Sequence, residues 1–263
     1  MESRKARNVG ANTLKWYNDV LTRYLNAVGN PYIARCEDIQ KYTNTISLGK
    51  GEHAYVRYNT TGVIKTFHKW LADIYNVGNP AEKVEFPKLG KPIHPTLTIE
   101  EIRDVLSKQS TRDKAIIALA TESGLRRFEL ANVRVEHIDW QTGKVRVLGK
   151  GRKEIYAPVG DLSKKYIKDY LKETGRTSGS LFGLNKWGIA SAFKRLEGEK
   201  HVSPHMLRRS FATILRDMGL DVLTIMQLGR WESPSMVQRY TRAFDFDSAL
   251  KHYKSPLTSL LTS

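Results

Sequence analysis

One cysteine, Cys36, is all that the 263 residues contain. A single thiol excludes a disulfide framework and any zinc site built from several thiolates. Apolar runs are short as well, none approaching the ~18 residues that a membrane-spanning helix needs. The basic residues near the N-terminus are not followed by the apolar core of a secretory signal. The expectation is therefore a cytoplasmic protein with no membrane partner. Acidic residues are outnumbered, 27 against 43 basic ones, for a formal net charge of +16. A surplus of that size favours a polyanionic partner, most simply nucleic acid. No strand–GxxxxGK[ST]–helix order is present, which excludes a P-loop. No carboxylate cluster suits Mg²⁺, which argues against a two-metal nuclease. No cofactor and no metal site is expected, and there are no internal repeats or low-complexity tracts.

What is present suffices for a core: 40% of the residues are hydrophobic, and the length favours two domains. The first part reads as helical. Leu14, Tyr17, Leu21, Tyr24, Leu25 and Val28 recur at helical spacing before the stop Gly29-Asn30-Pro31. A shorter helix is expected from Glu37 to Ser47. A third apolar face runs through Val63, Phe67, Trp70, Leu71, Ile74 and Tyr75. Helices with single apolar stripes must pack together, so a small bundle follows. Its aromatics Trp16, Tyr17, Phe67 and Trp70 are expected in the core rather than as base-stacking groups. Residues 1–91 carry 14 basic and 8 acidic side chains, enough to grip a phosphate backbone. A proline-rich stretch over residues 81–96 reads as an extended linker.

A second domain opens on the capping box Thr98-Ile99-Glu100-Glu101. A strongly apolar helix follows over Asp113–Thr121, then a break at Gly124 and a helical restart at Leu125-Arg126-Arg127-Phe128-Glu129-Leu130. Period-two alternation over residues 137–140, 144–148 and 154–158 predicts a small antiparallel sheet, with Gly149-Lys150-Gly151 at a hairpin tip. Helices return near residues 162–171 and 186–196. The last third is punctuated by Ser203-Pro204, Asp221 and Ser233-Pro234 as helix starts and Gly219 as a stop. The fold class is thus mainly α with a small antiparallel β-sheet (α+β).

The candidates for chemistry are scattered along this second domain. Arg126 and Arg127 stand at a helix start, where guanidinium groups and open backbone N–H donors both favour an anion. Glu129 is placed to orient Arg126 from the same face. Lys150, in a glycine-flanked turn, can reach a phosphate or deliver a proton. His205 and Arg208 share one helix face and combine proton transfer with charge stabilisation. Trp231, which reads as exposed, and Tyr240 complete the set.

In this order the residues resemble the tyrosine recombinase (phage integrase) family. The stretches that carry the resemblance are TESGLRRFELANVRVEHID, VRVLGKGRKEIYAPV, PHMLRRSFATILRDMGLDVLTIMQLGR and SPSMVQRYTR. The likeness is Xer-like, with a Cre-like tryptophan in place of the second active-site histidine. It implies a catalytic recombinase domain over residues 97–245. Ahead of it stands a helical, SAM-like core-binding domain over residues 1–80, with the linker 81–96 between them. A tail over residues 246–263 would dock on a neighbouring subunit. The catalytic residues implied are Arg126, Lys150, His205, Arg208, Trp231 and Tyr240, with Lys150 as general acid and Tyr240 as nucleophile. Glu129, Arg127, Arg209 and Arg230 are the supporting or DNA-binding positions. Arg209 stands where many relatives have a histidine, and Arg230 is placed to share the role of Trp231.

The reaction implied is cutting and rejoining of DNA strands through a 3′-phosphotyrosine intermediate at Tyr240. The partners implied are double-stranded DNA at specific sites and three further copies of the chain in a homotetramer on paired sites. Nucleoid association would follow from DNA binding. Accessory DNA-bending or directionality proteins stay open as further partners. Two other readings remain open: type IB topoisomerase-like strand passage, and a non-catalytic sequence-specific DNA-binding protein.

Overall fold

The computed structural model describes residues 9–46, 54–89, 94–148, 154–196, 202–241 and 244–252. The chain divides into two compact units, Met1–Pro92 and Ile93–Ser263. Among the described residues, no helix is long and apolar enough to cross a membrane.

The first unit is built on α1 (Ala11–Val28), α2 (Cys36–Thr45) and α3 (Ala54–Tyr75). Gly29 ends α1 at φ +79°, a conformation that costs a glycine little. Tyr24, Ile39 and Ile64, one from each helix, meet in the core together with Ala81 and Val84. The stretch expected as linker therefore begins inside the packing of the bundle. Lys65 fixes it further, donating from Nζ to the carbonyls of Glu82 and Val84 at 2.8 and 2.7 Å.

The expected apolar face holds in part: Val63 and Leu71 are buried and Phe67 packs against the core, but its other members do not. The helix α3 starts at Ala54, well before the apolar face read from Val63, because Tyr55, Val56 and Tyr58 are exposed and leave no one-sided stripe. Trp16, Trp70, Ile74 and Tyr75 are likewise exposed, while the buried face of α3 carries Thr60, Thr61 and His68. Polar side chains occupy places that periodicity assigns to apolar ones. His68 is accommodated by a 2.6 Å hydrogen bond to the Tyr24 hydroxyl, both groups being buried. Burial raises the Tyr24 pKa and lowers that of His68, so it favours the neutral form of both groups.

The second unit opens with α4 (Ile99–Ser107), whose capping box forms as expected: Thr98 Oγ1 accepts from Glu101 N–H at 3.2 Å, and Glu101 Oε2 from Thr98 N–H at 2.9 Å. Just before it, Leu97 N–H donates to Ser210 Oγ at 2.8 Å in a buried setting. Helix α5 (Thr111–Ser123) is central, with Ala115 to Ala120 buried without a break. After α6 (Arg127–Ala131) and a short 3₁₀ turn comes a three-stranded antiparallel sheet. Its strands β1 (Ile138–Asp139), β2 (Lys144–Leu148) and β3 (Glu154–Pro158) lie in the order β1-β2-β3. Val145 faces Ala157 and Leu148 faces Glu154, so Val145, Val147 and Ala157 turn into the core. Glu122 on α5 reaches the start of α7 (Asp161–Thr174), where its Oε2 accepts from Ser163 N–H at 2.8 Å and from Ser163 Oγ.

The remaining helices are α8 (Lys186–Lys194), α9 (Pro204–Asp217), α10 (Val222–Gly229), α11 (Pro234–Tyr240) and α12 (Phe246–Leu250). Ser203 and Asp221 cap α9 and α10 as expected. Ser233 does not cap α11; its hydroxyl bonds the Ser235 hydroxyl instead, at 2.9 Å. A small cluster of Phe211, Ala212, Ile225, Trp231 and Val237 joins α9, α10 and α11.

Candidate active site

Three backbone events place the arginines. Gly124 ends α5 in the left-handed region, φ +58°, and a Cβ there would lie 2.8 Å from the Phe211 ring. The turn leaves the Gly124 carbonyl pointing at α9, where Arg208 Nη1 donates to it. Arg126 follows as N-cap of α6, and its own N–H donates to Glu129 Oε2 at 2.8 Å while Nη1 donates to Oε1 at 2.9 Å. Glu129 therefore holds Arg126 at both main chain and side chain. The carboxylate is buried, which pushes its pKa up. The hydrogen bonds from Arg126 and the charges of Arg230 and Arg126 outweigh burial, and the group lies below its ordinary value.

Arg208 is only 4% exposed. Its guanidinium stacks over the Trp231 ring at 4.2 Å, and its Nη2 is buried with no hydrogen-bond partner among the described residues. Burial first, then the charges of Arg126 and Arg230, bring its pKa down to about 9 against the opposing Glu129. It stays cationic at neutral pH. Such an orphaned N–H group is costly unless a hydrogen-bond acceptor meets it.

Trp231 corrects its sequence reading, since it is buried rather than exposed. Its ring stacks on Phe211 at 6.2 Å and lies 5.9 Å from the Tyr240 ring. The Gly229-Arg230 step makes this possible. A Cβ on Gly229 would fall 1.8 Å from Trp231 Cζ3, and Arg230 takes the left-handed conformation, φ +56°, that turns the chain back. For a residue other than glycine that turn costs ~1–2 kcal/mol. Offsetting contacts come from the Arg230 side chain: Nη1 donates to Leu228 O at 2.8 Å and to Ser123 O at 3.3 Å, and Nη2 lies 3.6 Å from Glu129 Oε2.

Tyr240 is half-buried at the end of α11, its carbonyl accepting from Thr213 Oγ1 of α9 at 3.1 Å. His205 stands exposed in the first turn of α9. Desolvation by the protein around its base, then the charges of Arg208, Arg209, Arg127 and Arg126, lower its pKa. It is mostly neutral at pH 7. Arg209 donates from Nε to the His205 carbonyl at 3.1 Å, and Arg127 lies over the exposed Trp187 ring at 5.4 Å. Lys150 falls outside the described residues.

Arg126, Glu129, Arg208, Arg230, Trp231 and Tyr240 thus form one connected cluster, with His205 one turn from Arg208. Sequence reasoning passed over the Ser123 and Gly124 carbonyls, Gly229 and Phe211. Backbone acceptors leave no residue-type signal, although Gly124, two residues before Arg126, was a clue to the turn. Among the described residues, no group of three or more His, Cys, Asp and Glu side chains is arranged to hold a metal ion. Phe244, just ahead of α12, lies under the Arg216 guanidinium at 4.0 Å, and His252 Nε2 is 2.8 Å from the Asp217 carbonyl. The described start of the tail therefore packs on its own α9.

The site thus brings together a buried arginine with an open N–H, an accessible arginine and a tyrosine. The sequence pattern of the phage integrase family matches residues 96–246. A tyrosine recombinase XerD of Chlorobaculum tepidum is 31% identical over 265 residues, covering 89% of this chain and 87% of that one. A tyrosine recombinase XerC of Oceanobacillus iheyensis is 28% identical over 266 residues with the same coverage. The fold is similar to that of the Tn1549 transposon integrase in complex with circular intermediate DNA, at a TM-score of 0.72 and 20% identity over 97% of each chain. A lambda integrase dimer bound to a core site gives a TM-score of 0.72 at 17% identity, over 89% of this chain and 93% of that one. The chain belongs to the phage integrase family and is a site-specific tyrosine recombinase.

Proposed function

We propose that the chain cuts and rejoins double-stranded DNA at specific sites with Tyr240 as the nucleophile. The observation that carries this reading is the buried Arg208 Nη2, which finds no partner among the described residues and belongs to a guanidinium stacked on the tryptophan beside Tyr240. A non-bridging phosphate oxygen satisfies it. Arg126, held by Glu129 and 40% exposed, supplies the second charge. Negative charge that builds on those oxygens in a pentacoordinate transition state is then met by guanidinium groups already in place.

In the first step the Tyr240 oxygen bonds to phosphorus and the 5′-oxygen leaves. The phenolic proton passes to a base, for which neutral His205 is suited, and the leaving oxygen takes a proton from Lys150. In the second step a 5′-hydroxyl of the partner strand attacks the 3′-phosphotyrosine and Tyr240 departs. Phosphodiester energy is kept in the adduct, so no nucleotide is consumed. The two strand exchanges need paired sites, and a homotetramer supplies one tyrosine for each strand cut. Accessory DNA-bending or directionality proteins would set the outcome, and DNA binding would place the protein on the nucleoid.

A pool of randomised duplexes, each with a nick that lets the freed fragment diffuse away, tests the assignment. Wild type is expected to accumulate a covalent DNA adduct, and Tyr240→Phe to give none. Equal trapping by both would show that another residue attacks.

A further inference from the structure

Arg230 has a different environment from the arginines assigned to phosphate. Its side chain is 12% exposed, and its guanidinium faces protein rather than solvent. Nη1 contacts the carbonyls of Leu228, Ser123 and Tyr156 at 2.8, 3.3 and 3.5 Å, and Nη2 lies 3.3 Å from Ser123 O and 3.6 Å from Glu129 Oε2. Each contact fixes a segment that carries a site residue. Ser123 precedes the Gly124 carbonyl that takes Arg208. Tyr156 lies on β3, the strand that follows Lys150 in the sequence. Glu129 holds Arg126, and Trp231 is the next residue in the chain. Apart from Asn76, Arg230 is the one non-glycine residue at positive φ among those described. Left-handed backbone that glycine would adopt without strain is kept here for a long side chain, and the contacts of that side chain are what offset the strain.

We propose that Arg230 is a positioning residue for recombination, which neutralises Glu129 and so leaves Arg126 with net charge for the phosphate. The argument rests on the reading of Tyr240 as nucleophile. Glu129 Oε1 and Oε2 both accept from Arg126, and with no second cation that pairing cancels the charge of Arg126. Arg230 approaches the same Oε2 from the protein side. One carboxylate is shared between two guanidinium groups, and the pair keeps one positive charge in excess. A lysine cannot replace it, because a single ammonium cannot span three carbonyls and a carboxylate in the planar fork that guanidinium provides.

The test measures single-turnover adduct formation on one nicked duplex recovered from the randomised pool by wild type, with DNA affinity and thermal unfolding measured on the same samples. R230Q is expected to form adduct at least about tenfold more slowly, as removal of one buried ionic partner does, while DNA affinity changes less than about threefold. R230K is expected to be nearly as slow and carries the test should R230Q not fold. Adding E129Q removes the carboxylate charge that cancels Arg126 in R230Q, so E129Q/R230Q should be faster than R230Q alone. Wild-type rate in R230K overturns the proposal. So does a double variant no faster than R230Q, or a loss that lies wholly in DNA affinity, which would make Arg230 a DNA contact. If wild type itself forms no adduct, the reading of Tyr240 fails, and the two failures are told apart by that control.

Discussion

Replacing Gly229 by alanine puts the account of Trp231 under direct load. The added methyl would lie 1.8 Å from Trp231 Cζ3 and 2.3 Å from Cε3. Ordinary carbon contacts sit near ~3.5–4 Å, so the ring must retreat by roughly 2 Å. It has little room, because Phe211 stacks on it and the Arg208 guanidinium lies 4.2 Å over it. Forced overpacking of this kind costs about 1–3 kcal/mol, or roughly 2–12 °C in unfolding temperature for a domain of this size. The effect on chemistry should be larger than on stability. A misplacement of ~1 Å at reacting groups can cost ~10²-fold, and Arg208 cannot follow the ring without leaving the Gly124 carbonyl. The assay pairs thermal unfolding with the rate of covalent trapping on a nicked duplex. Trp231→His provides the control background, since imidazole has no six-membered ring to meet the methyl. There G229A should become neutral, or stabilising by up to ~1 kcal/mol as alanine replaces glycine at a helix end. An equal cost in both backgrounds would refute the clash as the cause.

Acid should weaken the first unit through His68. The folded-state pKa of this residue is lowered by burial, so the unfolded chain binds the proton more readily. Its contribution is full above the ordinary histidine value near 6.5 and is lost as pH falls below it. Unfolding followed from pH 8 to 5 should show that slope, and the double variant Tyr24→Phe/His68→Leu should flatten it. Glu122→Ala should destabilise the second unit by about 1–3 kcal/mol, because it removes the one acceptor shared by the N–H and Oγ of the fully buried Ser163. A denaturant midpoint unchanged from wild type would show that water replaces the carboxylate. Binding to duplex DNA should weaken steeply with salt, the logarithm of affinity falling by about 0.9 per phosphate contact for each tenfold rise. A flat response would argue against phosphate contacts as the main source of affinity.

How much of this was legible in the sequence depends on what each residue does. The capping box at Thr98, the Ser203-Pro204 and Asp221 starts, and the alternation of the three strands are local devices, so residue types alone located them. The α+β class followed. The order of Arg126, His205, Arg208, Trp231 and Tyr240 was equally visible, because each contributes a side chain with its own chemistry. The bundle was less legible. Trp16 and Trp70 on the surface and Thr61 and His68 inside invert the usual sorting, and only the Tyr24 hydroxyl explains why a histidine can sit there. The burial of Trp231 was also hidden. It depends on a missing Cβ at Gly229, a left-handed turn at Arg230 and a ring from α9; the first two are its neighbours in sequence, but residue types do not show the backbone they take. The carbonyls of Ser123 and Gly124 lay beyond any reading of side chains.

The central claim, that the buried Arg208 and its neighbours present a phosphate to Tyr240, is tested most directly by finding which residue carries the DNA. Protein trapped on a nicked duplex is digested with nuclease and protease, and the peptide with residual nucleotide is sequenced by mass spectrometry. The account predicts the nucleotide on Tyr240, bonded through a 3′-phosphate, with Arg208→Ala abolishing the modified peptide. Nucleotide on any other residue, or a 5′-phosphate linkage at Tyr240, would contradict it.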